Sequence, residues 1–273
     1  MSTTTTPTTR LATSADGTQI AYEMVGHGPA LVLVDGALCH RAFGPSRGVA
    51  EQLADRFTVY AYDRRGRGES GAGATPYAIQ REVEDLLAVI SAAGGHAHVL
   101  GVSSGAVLAL EAARQGAPID RLAAYEAPFI VDGTHPANDP RLPERTQAYV
   151  DQGRRGDAVR LFMRTVGVPA PFIALMRFMP AWKKLTRVAH TLPYDLSIVV
   201  GHQQGEPVPA GYYDEVTADT LVVAGGKSPA YMRNAQAAIA EAVPRGRLET
   251  LPGQTHMVKP KVLAPVLAGF LQG

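Results

Sequence analysis

The segment Gly101-Val102-Ser103-Ser104-Gly105 constrains this chain more than any other stretch. It directly follows a short β-rich run, residues 98–102 (HVLGV), and directly opens an alanine-rich helical stretch from Ser104 to about Gln115 that ends at Gly116. A strand that turns straight into a helix brings the two backbones together, so positions two residues either side of the turn tolerate only small side chains. Gly101 and Gly105 meet that condition for Ser103, whereas a turn centred on Ser104 would place Val102 and Ala106 there. Ser103 is therefore the candidate nucleophile, lifted on a strained turn at the end of a strand.

The surrounding pattern predicts what that strand belongs to. Residues 30–34 (ALVLV), 58–62 (TVYAY), 98–102, 122–125 and 221–224 are short, β-rich and without clear alternation, as strands buried on both faces are. An earlier strand, 18–24, lies between the turn signals Asp16-Gly17 and Gly26-His27-Gly28-Pro29. Helical periodicity separates several of these runs. It is clearest over 76–93, with Thr75 as N-cap and Pro76 at the first helical position, and recurs over 229–243, where Ser228 and Pro229 form a similar start. Strands alternating with helices predict an α/β fold, a mostly parallel central sheet with helices on both faces. The alternation stops between 128 and 216, where Leu161, Phe162, Met163, Phe172, Ile173, Leu175, Met176, Phe178, Met179 and Trp182 fall in short helical pieces broken by prolines. An insertion this long must pack on something, and a helical cap over the carboxyl edge of the sheet is expected, its apolar side chains lining a pocket or filling a core. The expected organisation is a disordered tail at 1–10, a core at 11–127 and 217–273, and a cap at 128–216.

These features together make the chain resemble the α/β-hydrolase superfamily, from about Leu11 to Leu271 and least in the cap. Members of that family carry nucleophile, acid and histidine in that order. The resemblance implies that His256, in Gly253-Gln254-Thr255-His256 after the strand 248–251, is the general base. It implies an oxyanion hole made by the backbone N–H groups of Ser104 and of Ala37 in Val34-Asp35-Gly36-Ala37-Leu38. Most relatives have His-Gly in that loop; Asp35 replaces the histidine here and would set a carboxylate near the pocket mouth. The usual site of the acid, after the penultimate strand, reads Ala224-Gly225-Gly226-Lys227-Ser228 and holds no carboxylate. Some superfamily members carry the acid after the sixth strand, and Glu126 stands there, 23 residues after Ser103. Glu126 is accordingly the expected third member.

Other motifs carry less. Gly66-Arg67-Gly68-Glu69-Ser70-Gly71 matches a dinucleotide fingerprint in letters, but no helix opens behind it. Gly226-Lys227-Ser228 looks like the end of a phosphate loop, yet Leu221 stands where its first glycine belongs. Cys39 lacks a nucleophile turn and reads as a small buried residue. The balance of 26 Lys and Arg against 25 Asp and Glu, formal charge +1, disfavours nucleic acid and anionic membrane as partners. One cysteine, no paired metal-ligand spacing, and no apolar leader or span lead to the expectation of a cytoplasmic protein, monomer or homodimer, without metal or cofactor, acting on a small molecule. The leading expectation is an acyl-enzyme hydrolase for an ester, thioester or lactone with a hydrophobic part. A non-hydrolytic relative, such as a perhydrolase, lyase or cyclase, and a non-catalytic small-molecule-binding protein are the alternatives.

Overall fold

The apolar runs pair into one eight-stranded sheet. In the computed structural model, which describes residues 8–273, the strands are β1 (Arg10–Thr13), β2 (Gln19–Gly26), β3 (Ala30–Val34), β4 (Thr58–Tyr62), β5 (Ala97–Val102), β6 (Ile119–Tyr125), β7 (Asp219–Gly225) and β8 (Gly246–Leu251). Their order is β1-β2-β4-β3-β5-β6-β7-β8. The pairs from β4 through β3 to β8 are parallel, and the β1–β2 hairpin joins antiparallel. The helices of the core are α1 (Ser46–Leu53), α2 (Ile79–Ala92), α3 (Ser104–Arg114), α9 (Ala230–Ala242) and α10 (Pro260–Gln272).

Period-two alternation is present but both faces are apolar, which is why the sequence hides it. Val32, Val34, Val99, Leu122, Ala124 and Val222 face the α2 and α3 side, with Leu86 and Leu110 among their neighbours in one buried cluster. Leu31, Leu33, Leu100, Ala123, Tyr125 and Val223 face the other side, clustered with Val49 and Leu53 of α1 and Leu263 and Leu267 of α10. β8 is an edge strand, largely exposed along its length.

Between β6 and β7 the chain leaves the sheet and forms α4 (Leu142–Asp151), α5 (Arg155–Thr165), α6 (Ala170–Met176), α7 (Pro180–Val188) and α8 (Leu192–Val199). A third apolar cluster joins these helices to the core through Leu38, which is packed among Val159, Leu185, Val188 and Leu192. Of the apolar side chains singled out here, Ile173 is buried, but Phe172, Leu175, Phe178 and Met179 face solvent rather than a core or a pocket.

Three local expectations change. Arg10 opens β1 and Thr9 Oγ1 donates to Glu69 at 2.9 Å, so the end of the stretch read as tail is structured; residues 1–7 of it lie outside the described residues. The second helix starts at Ile79, not Pro76, and Thr75 does not cap it. The residues before it are spent on reaching the cap: the Tyr77 ring stacks on Tyr194 at 4.2 Å and its hydroxyl donates to Glu82 at 2.9 Å. Ser228 likewise caps no helix, because α9 begins behind an extended Pro229 and the Ser228 hydroxyl points inward, buried and without a partner among the described residues.

Candidate active site

β5 ends in a tight turn that leads directly into α3. Ser103 adopts φ 57 and ψ −127, a backbone region that side chains other than glycine's avoid. The turn survives because nothing crowds it from either side. A Cβ at Gly101 would lie 2.5 Å from the Cα of Ala106, and one at Gly105 would collide with the carbonyl of Val34. The Ser103 N–H donates to the Tyr125 carbonyl at 2.9 Å, and α3 then begins by directing Ala106 N–H back to the Ser103 carbonyl at 2.9 Å.

His256 arrives from the loop after β8. That loop is tied down on both sides of the histidine: the Tyr125 hydroxyl donates to the Thr255 carbonyl at 2.6 Å, and Lys259 N–H donates to Gln254 Oε1 at 3.1 Å. His256 Nε2 lies 3.1 Å from Ser103 Oγ, and its Nδ1 lies 2.9 Å from Glu126 Oε2. A carboxylate oxygen accepts, so this pairing places the imidazole proton on Nδ1 and turns the Nε2 lone pair to the serine hydroxyl.

Glu126 is wholly buried at the end of β6, with a left-handed φ of 46. Its N–H donates to the Val223 carbonyl at 3.1 Å, and its second oxygen, Oε1, accepts the Gly225 N–H at 2.8 Å. The carboxylate therefore reaches across to the end of β7, the place where relatives hold the acid. A Cβ at Gly225 would fall 2.8 Å from Ser228 Oγ, so the unpartnered serine sits against the same spot.

The loop carrying Ala37 lies against Ser103, the candidate nucleophile: a Cβ on Gly36 would fall 2.9 Å from Ser103 Cβ. The Ala37 N–H donates to no protein acceptor among the described residues, and Ser104, as first residue of α3, has no carbonyl one turn back to bond. Asp35 is not at a pocket mouth. It is 2% exposed and its carboxylate lies by Gly44, where an added Cβ would fall 3.2 Å from Asp35 Oδ2. Burial pushes its carboxyl up to about 6, against the pull of Arg67 and Arg64. Burial also pushes the Cys39 thiol up to about 12, with Asp35 adding to the shift, which leaves no thiolate near neutral pH.

Sequence reasoning missed a buried ion cluster under this loop. Arg64 and Arg67 follow β4, and both meet Asp195 of α8, a residue more than 120 positions away in the chain. Burial alone would raise the Asp195 carboxyl, but Arg67 and Arg64 hold it below the usual carboxylate range. Three arginines among the residues after β4 were the available signal, masked by the habit of placing charge at the surface. The segment 66–71 that matches a dinucleotide fingerprint forms this same loop, with Gly66 N–H donating to the Gly71 carbonyl at 2.8 Å, and the next helix after it starts only at Ile79.

A parallel sheet with a serine on a strand-to-helix turn, a histidine after the last strand and a buried carboxylate behind it is the architecture of an α/β hydrolase. A sequence profile described as "Alpha/beta hydrolase family" matches residues 25–265. The chain belongs to the α/β hydrolase family and is an enzyme of esterase-like build. The crystal structure of an α/β hydrolase from Sphaerobacter thermophilus is 47% identical, covers 96% of this chain and 100% of its own, and superposes with a TM-score of 0.88. An N-formylmaleamate deformylase from Pseudomonas putida is 35% identical over 56% of this chain, and the match spans only 58% of that relative's length. A 2-(acetamidomethylene)succinate hydrolase from Mesorhizobium japonicum is 27% identical over 90% of this chain and 89% of its own. Among the described residues no helix is long and apolar enough to cross a membrane.

Proposed function

We propose that this protein is a cofactor-independent serine hydrolase that works through an acyl-enzyme on Ser103, with His256 as general base and Glu126 as its orienting carboxylate. The observation that carries this reading is the continuous hydrogen-bonded line Ser103 Oγ to His256 Nε2, 3.1 Å, and His256 Nδ1 to Glu126 Oε2, 2.9 Å. Ser103 Oγ attacks the acyl carbon as its proton passes to Nε2, and the imidazolium that forms is stabilised by Glu126. The carbonyl oxygen becomes an oxyanion held by the N–H groups of Ala37 and Ser104, each such donor contributing about 3 kcal/mol to the transition state. Collapse expels the leaving group, which takes the proton from His256. Water then attacks the acyl carbon with His256 again as base, and Ser103 is released.

The substrate class in this reading is an ester, thioester or lactone with a hydrophobic part. Support comes from Ala37, the proposed donor, which is only partly buried and packs against the apolar cluster of the cap. The names of two relatives specify N-formyl and acetamido compounds, so acyl amines of that kind belong in the same substrate panel. The test is labelling of purified protein with a fluorophosphonate probe, located by peptide mass spectrometry, followed by turnover of p-nitrophenyl esters, N-formylmaleamate and 2-(acetamidomethylene)succinate. Labelling confined to Ser103 and lost in His256→Ala is expected. An unlabelled Ser103 that also turns over nothing would leave the family's non-hydrolytic chemistry or simple ligand binding in its place.

A further inference from the structure

The two N–H groups assigned to the oxyanion are held by one buried ion cluster that joins the sheet to the cap. Arg64, Arg67, Glu82 on α2 and Asp195 on α8 are each 1% exposed. Arg64 donates to both oxygens of Glu82, at 2.6 and 2.8 Å, and to Asp195 Oδ1 at 2.8 Å. Arg67 Nη2 donates to Asp195 Oδ2 at 2.7 Å. Two guanidinium groups against two carboxylates balance in charge, the condition under which such a cluster tolerates burial.

Tyr77 adds a hydroxyl hydrogen bond to Glu82 at 2.9 Å, and other hydrogen bonds of the cluster go to the site. Arg67 Nη1 donates to the carbonyls of Gly36, 2.7 Å, and Cys39, 3.2 Å, and Arg64 Nη1 donates to the carbonyl of Asp35 at 3.2 Å. On the other side, Ser104 Oγ donates to Asp195 Oδ1 at 2.7 Å. The Gly36 carbonyl and the Ala37 N–H belong to one peptide unit, and in a trans peptide they point in opposite directions. A guanidinium that grips the oxygen therefore aims the N–H away from itself and strengthens it as a donor by polarising the amide. The loop has no such shape of its own: Leu38 sits at φ 62, a conformation leucine does not choose, and is pinned in the cap cluster.

We propose that Asp195 is the positioning residue of the oxyanion hole, holding Arg67 so that it aims the Gly36–Ala37 peptide and holding Ser104, whose N–H is the second donor. This rests on the serine hydrolase reading and adds to it a carboxylate from the cap that never touches substrate.

The test compares wild type with Asp195→Asn, Arg67→Met and Ser104→Ala, the last of which keeps both the backbone amide and the charge balance. Active sites are counted by fluorophosphonate titration. Then kcat and KM for a p-nitrophenyl ester, and the inhibition constant of a trifluoromethyl ketone that forms a hemiketal oxyanion on Ser103, are measured per active site. The expected result is a fall in kcat of about tenfold to a hundredfold in Asp195→Asn and Arg67→Met, a smaller one in Ser104→Ala, nearly constant KM, and a parallel loss of ketone affinity. A merely structural role lowers the melting temperature and the number of active sites while leaving kcat and ketone affinity per site unchanged, and that result overturns the proposal. Should Asp195→Asn fail to fold, Arg67→Met and Ser104→Ala decide by the same criterion. A wild type that no fluorophosphonate labels sinks the hydrolase reading and this inference with it; a labelled wild type with indifferent variants sinks this inference alone.

Discussion

Glu126 and His256 stand 130 positions apart in the chain and 2.9 Å apart in space, the carboxylate Oε2 facing Nδ1. The other oxygen of Glu126 takes the Gly225 N–H, so the side chain from β6 occupies the end of β7 where relatives place an aspartate. Two strands adjacent in the sheet offer two routes to one position.

Glu126→Gln keeps the shape and removes the charge that, in the proposed mechanism, stabilises the imidazolium. A fall in kcat of about 10³- to 10⁴-fold is expected, with slowed fluorophosphonate labelling of Ser103. Adding Ser228→Asp to that variant should restore part of the loss, because the Ser228 hydroxyl is buried against Gly225 without a partner of its own. Steady-state kinetics on the three proteins checks both statements; full activity in Glu126→Gln alone would remove Glu126 from the mechanism.

The turn at Ser103 stores strain. Non-glycine residues in such a region cost about 1–3 kcal/mol, while glycine loses about 0.5–1 kcal/mol through its freer unfolded chain. Ser103→Gly should accordingly unfold at higher denaturant than Ser103→Ala, by about 1 kcal/mol, with both variants unlabelled. Equal midpoints in urea would show that the turn is not strained.

Alanine at two glycines should act with opposite sign. Gly105→Ala drives a methyl into the Val34 carbonyl and within 2.7 Å of the Asp35 carbonyl, both backbone atoms, and should cost about 3 kcal/mol. Gly269→Ala, inside α10 with nothing within 4 Å, should gain about 1 kcal/mol from helix propensity. Thermal melts of the two variants give the comparison.

A buried carboxyl and a half-buried imidazole tilt the pH dependence of stability in opposite directions. Asp35, raised to about 6, binds its proton more readily folded than unfolded, so its contribution declines as pH rises from about 4 to about 6. His202, lowered to about 4 by burial and stacked on Phe129 at 4.1 Å, binds its proton less readily folded. Its contribution is therefore lost as pH falls from about 6.5 to about 4. Relative to wild type, Asp35→Asn should gain stability as pH rises through that range, by up to about 3 kcal/mol, and His202→Phe should gain it as pH falls. Denaturation midpoints every half unit between pH 4 and 7.5 test the signs; a variant-minus-wild-type difference that stays flat contradicts the corresponding assignment.

What the residues determine by themselves is local. The strand, turn and helix around Ser103 are legible because Gly101 and Gly105 stand where backbones crowd, and the parallel sheet is legible because strands covered on both faces carry apolar side chains throughout. That His256 and Glu126 follow apolar runs is legible in the residues, while their expected roles come from the resemblance to the α/β-hydrolase superfamily. Tertiary structure decided the rest. The start of α2 moved to Ile79 because Tyr77 is claimed by Tyr194, a partner in the cap, and Asp35 came to lie buried beside Gly44. Asp195 joined Arg64 and Arg67, and no periodicity announces a bond between residues some 130 positions apart. Buried charge is tolerated only where an opposite charge meets it, and the meeting place is set by how the cap packs on the sheet, not by either segment alone.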